Sequence, residues 1–126
     1  MLRKSIFAAL LGAGVLCVSL AHAHGDAPPK HGGIVRSSQE LTFELVTHDD
    51  SVVLYVDDHG EELSTENLAG KLTVQNASGQ SEADLKPAGG NKLEAHGVKV
   101  VAGDKVVAKL TTADGQPRMT VRFVAK

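Results

Sequence analysis

From Gly33 to the C-terminus, apolar and polar residues alternate with period two. Leu41, Phe43 and Leu45 point one way while Thr42 and Glu44 point the other. Val52, Leu54 and Val56 repeat the pattern, as do Leu72 and Val74, Leu93 and Ala95, then Val106, Ala108 and Leu110. Met119, Val121 and Phe123 end it. Such alternation marks strands with one buried face. Turn-forming residues interrupt the runs at Ser37-Ser38, His48-Asp49-Asp50, Asp57-Asp58-His59-Gly60, Ala77-Ser78-Gly79, Pro87 to Gly90, Gly103-Asp104 and Asp114-Gly115. No segment holds a helical period over ten residues, and "STENLAG" at 64–70 supports one helical turn at most.

Seven to eight short strands spaced about ten residues apart predict an all-β fold. The expected form is an immunoglobulin-like antiparallel β-sandwich; a closed barrel is the alternative. Its core should contain Phe43, Leu45, Leu54, Val74, Leu93, Leu110, Val121 and Phe123.

The first residues read differently. Arg3 and Lys4 precede an uncharged apolar run from Ile6 to Leu20, and Ala21-His22-Ala23 follows. This is the pattern of a secretory signal peptide, with small residues where a signal peptidase cuts. The apolar run is shorter than the roughly 20 residues of a membrane span. The expected organisation is a signal peptide at 1–23, an extended polar leader at 24–32 stiffened by Pro28-Pro29, and a β domain at 33–126. Cleavage after Ala21 is the competing site. The processed protein is expected in the periplasm, with no membrane insertion.

Processing changes the composition. Arg3 and Lys4 leave, so the formal charge falls from −2 to −4. Cys17 also leaves, so no disulfide is expected. An acidic domain is poorly suited to nucleic acid, and a metal cation suits it better. After the signal, only Phe43, Tyr55 and Phe123 are aromatic, too few for a stacking platform. No cysteine nucleophile, Gly-x-Ser-x-Gly turn or His-Glu-x-x-His helix is present, so an enzyme is not expected.

Histidines supply the candidate chemistry. Cleavage after Ala23 makes His24 the N-terminal residue, whose amine and imidazole together chelate a metal. Cleavage after Ala21 gives His22-Ala23-His24, in which amine, backbone amides and imidazole form a square plane. Both arrangements suit Cu(II). If β strands run alternately down and up from Gly33, His24, His31, His48 and Asp49 fall at one end. Asp58 and His59, with Glu61 and Glu62, fall at the other, nearly 20 Å away at about 3.3 Å per residue. The first group is the expected copper or zinc site. The second is oxygen-rich and is the weaker, secondary site. Acidic turns that only solvate the sheet ends are the plain alternative. His96 is expected to be a solvent-facing strand residue.

Four segments occur in an ordered series: "HGGIV" at 31–35, "FELV" at 43–46, "LYVDDHGEEL" at 54–63 and "LKPAGGNKLEAHG" at 85–97. In these the chain resembles a family of small exported proteins found alongside heavy-metal and copper efflux systems. A similar module is fused to some periplasmic adaptor subunits of those pumps. The resemblance implies a periplasmic β-sandwich with a metal-related role and an efflux-pump subunit as partner. It carries over to His31, Asp58 and His59. Family members often place a histidine or aromatic pair before the Glu-Leu-Val strand, where this chain has Leu41-Thr42-Phe43. The chain also resembles copper-resistance sandwich proteins that begin with histidine, but it lacks their methionine-rich loops.

Three readings follow. The first is a metal-handling carrier or accessory to efflux. The second is a metal-free module that docks onto an envelope efflux complex. The third, a copper oxidase with an N-terminal histidine brace, lacks the aromatic residues for a substrate face.

Overall fold

The computed structural model describes residues 27–112, 114 and 119–126. The expected signal peptide at 1–23 and His24 lie outside them. Among the described residues there is no helix, and none therefore that is long and apolar enough to cross a membrane. The strands are β1 (Ile34–Ser38), β2 (Leu41–Thr47), β3 (Ser51–Asp58), β4 (Glu61–Glu62), β5 (Leu68–Asn76), β6 (Gly79–Pro87), β7 (Lys92–His96), β8 (Lys105–Thr112) and β9 (Met119–Val124). All neighbours are antiparallel. The all-β expectation holds, with residues 64–67 outside any strand and Leu68 to Gly70 already in β5.

The order β1-β2-β3-β7-β6-β5-β8-β9 makes one sheet, and β4 pairs only with β3. β1 lies alongside β9, which nearly closes the sheet into a barrel. β6 is the strand that joins its two halves. Residues 79–85 pair with β5, whereas only Lys86 and Pro87 pair with β7. β6 and β7 therefore diverge from a shared corner.

Alternation along each strand fills the interior. All eight residues expected in the core are buried, and they belong to one continuous apolar cluster. Leu68, Leu72, Leu85 and Val98 are among the residues that join them in it. Thr65 is fully buried in the loop before β5; its hydroxyl donates to the carbonyls of Lys92, at 2.7 Å, and Gly90. It thereby fastens that loop to the β6–β7 corner.

The first turn differs from expectation. Ser37 and Ser38 are in β1, and the reversal falls on Gln39 and Glu40, at φ 49° and 70°. Packing sets this register: half-buried Ile34 opposes Leu45, buried Val35 opposes Glu44, and Arg36 then opposes Phe43. The two residues left over take the left-handed conformation that a two-residue hairpin requires.

Candidate functional site

The side chain of Glu44 points out of the sheet between the inward-facing Phe43 and Leu45, yet it is only 5% exposed. The leader covers it. Its Oε1 accepts the backbone N–H of Lys30 at 2.9 Å, and its Oε2 accepts those of His31 at 2.8 Å and Gly33 at 2.9 Å. Three amides converging on one carboxylate make a charge-assisted clasp.

The two glycines make this approach possible. Gly32 has φ +73°, a conformation that favours glycine. A Cβ on Gly33 would lie 2.3 Å from the Leu45 carbonyl oxygen and 2.9 Å from Val46 Cγ2. His31 stacks on Tyr55, with ring centroids 3.7 Å apart and planes 9° from parallel. Tyr55 is the register partner of Glu44, so stack and clasp share one row of the sheet. Lys30 extends past the next row. Its Nζ donates to Asp57 Oδ2 at 2.7 Å and to the Gly60 carbonyl at 3.4 Å. The hydrogen bond to Asp57 and the nearby carboxylates hold the Lys30 ammonium above its ordinary pKa, against a smaller opposing effect of desolvation. Asn91 steadies Asp57 from the other side at 3.1 Å.

This geometry corrects the expected position of His31. It does not sit beside His48 at the β2–β3 end. The leader instead turns back over the outer face of β2 and β3, and Ala27, Pro28, Thr42, Tyr55 and Asp57 line one small hollow. His48 lies in the β2–β3 turn, four residues beyond Glu44, which is about 13 Å along the strand. His48 and Asp49 are both exposed there, and the His48 amide donates to the Ser51 carbonyl at 2.8 Å. The grouping of His31 with His48 and Asp49 is therefore not assembled. Among the described residues, no three or more His, Cys, Asp or Glu side chains are placed to hold a metal.

Asp58 and His59 are together at the opposite end. His59 Nδ1 lies 2.5 Å from Asp58 Oδ1, and both side chains are open to solvent. His59 and Gly60, at φ 50° and 85°, form the two-residue turn into β4. The turn thus holds the imidazole outward. The pair offers one nitrogen and carboxylate oxygen, too few donors for a closed site. His96 faces solvent, as expected, with its Nε2 3.2 Å from Glu94 Oε1.

Glu44, Tyr55 and Lys30 were not singled out in the sequence. An outward glutamate in a half-buried strand reads as a solvated residue, and nothing local announces three amides arriving from residues 30–33. Comparison with protein-family models, curated proteins and solved structures found no match.

Proposed function

We propose that this chain is an exported metal-handling protein, for copper, zinc or a related divalent ion, serving a heavy-metal efflux system. In this reading the signal peptide is removed after Ala23, and the periplasmic domain is classed with the immunoglobulin-like sandwiches. His24 then becomes the first residue and offers amine and imidazole nitrogens. The reading includes no catalytic step.

The observation that supports it most is the direction of the clasped leader. Lys30 reaches Asp57 and Gly60, and Ala27 lies in the hollow with Asp57. His24 is three residues before Ala27, a reach of about 10 Å. The donors at that end are the exposed His59 with Asp58 beside it, next to the exposed carboxylates of Glu61 and Glu62, so our proposed donor set is His24 with His59 and Asp58 rather than with His48.

The test is titration of the cell-processed protein with Cu(II) and Zn(II) near neutral pH. His24→Ala should weaken binding, and so should one extra residue placed before His24, which separates the amine from the imidazole. His59→Asn should also weaken it while keeping a residue suited to the left-handed turn. His48→Ala should have no effect. Binding should fade as pH falls through about 6, where imidazole takes up protons. Loss with His48→Ala but not with His59→Asn would move the site to the other end. No binding by the parent would favour the metal-free docking module.

A further inference from the structure

The divergence of β6 from β7 leaves a backbone edge open. In the β5–β6 hairpin, Asn76 opposes Gly79 across a two-residue loop. The paired amides and carbonyls therefore belong to the odd-numbered residues of β6. At the other end, the Ala88 N–H donates to the Lys92 carbonyl at 2.9 Å, which puts even-numbered groups toward β7. The two ends agree. The backbone groups of Gln80, Glu82 and Asp84 point away from β5, and among the described residues no strand pairs with them.

The strand also rises from the core toward its start. Leu85 is buried, Ala83 is half-buried and Ser81 is exposed, although all three share the inner face. The result is a cleft of about 640 Å3 between β6 and β7. Three carboxylates line it, those of Glu82, Asp84 and Glu94, against Lys86 and His96.

We infer that this edge is a docking site for an extended, lysine- or arginine-bearing segment of a partner protein, which adds to the sheet as a further strand. The open amides and carbonyls supply the main-chain bonds of strand addition. The carboxylates select a basic strand and steer it in. They also refuse a second copy of the same edge. Antiparallel pairing of two β6 strands about Ala83 would set Glu82 of each against Asp84 of the other, and like charges directly opposite destabilise a sheet. This surface is separate from the His59 turn and stands whether or not the protein binds metal.

The test uses the cell-processed protein and two short blocked peptides, one alternating lysine with valine and one alternating glutamate with valine. Amide hydrogen exchange is read residue by residue. The lysine peptide should slow exchange at Gln80, Glu82 and Asp84, and the glutamate peptide should not. Glu82→Pro removes one outward N–H and leaves the β5 ladder intact, because proline is tolerated where the N–H faces solvent. It should weaken the lysine peptide about tenfold or more. Should that variant fold poorly, Glu82→Lys with Asp84→Lys changes only exposed side chains and should weaken binding similarly. Equal protection by both peptides, protection at other residues, or no protection at all would overturn the inference.

Discussion

One carboxylate, Glu44, decides where the leader goes. A hydrogen bond to a charged group contributes about 1.5–3 kcal/mol, and Glu44 accepts three. The amides it releases can return to water, so the sum is not the cost of removing it. Glu44→Ala should lower stability by about 1–3 kcal/mol and speed exchange at the amides of Lys30, His31 and Gly33 selectively. Gly33→Ala should release the same amides by a different route, since its Cβ meets backbone that cannot yield. Unchanged exchange in both variants would show that the leader is held by something else. Lys30 adds a pH dependence with a definite sign. Its folded pKa is raised, first by the Asp57 hydrogen bond. Its contribution is therefore full below the ordinary lysine value of 10.5 and is lost only as pH climbs through the raised value. At this scale the sequence was half legible. In the sequence, the motif at His31, Gly32 and Gly33 reads as chemistry. Its work in the fold is a close approach and a ring stack, which depend on contacts with residues far along the chain.

Strands were more legible than the turns between them. Alternation identified Phe43, Leu45 and Leu54 as core because burying one face of a pleated strand forces that period. The β1–β2 turn was misplaced for a physical reason. Ser37 and Ser38 carry turn propensity, but register is fixed by the packing of half-buried Ile34 beside Leu45 and of buried Val35 beside Glu44, not by local preference. The reversal then falls on Gln39 and Glu40, neither of which suits positive φ. An L-residue in that conformation costs roughly 1–2 kcal/mol, which glycine escapes. Glu40→Gly should therefore stabilise the protein, by about 1 kcal/mol after the added freedom of the unfolded chain is counted. Denaturant unfolding measures this directly. A loss of stability would mean that the Glu40 side chain contributes more than its backbone costs. The β3–β4 turn needs less relief, because Gly60 already occupies the second left-handed position.

Across the whole molecule, β6 determines whether the domain behaves as two layers or as one body. Alternation says which face of a strand is buried and says nothing about which strand lies beside it, so it left the barrel open as the alternative to the expected sandwich. The pairing of β6 with both β5 and β7 makes the sheet continuous, and the apolar side chains of both halves pack in one cluster. Phe43 on β2 and Leu110 on β8 sit in opposite halves of that sheet, and both are fully buried. If the core is a single cooperative unit, damage in either half must lower the stability of the whole. Phe43→Ala should cost about 3–5 kcal/mol and Leu110→Ala about 2–5 kcal/mol. Each should leave one transition, with far-ultraviolet dichroism and Tyr55 fluorescence changing together. Tyr55 lies on β3, in the same half as Phe43 and across the β6 join from Leu110. The Leu110→Ala variant is thus the sharper case. A two-step melt in which the dichroism changes before Tyr55 responds would mean that the halves unfold separately and that the short β6–β7 pairing does not couple them.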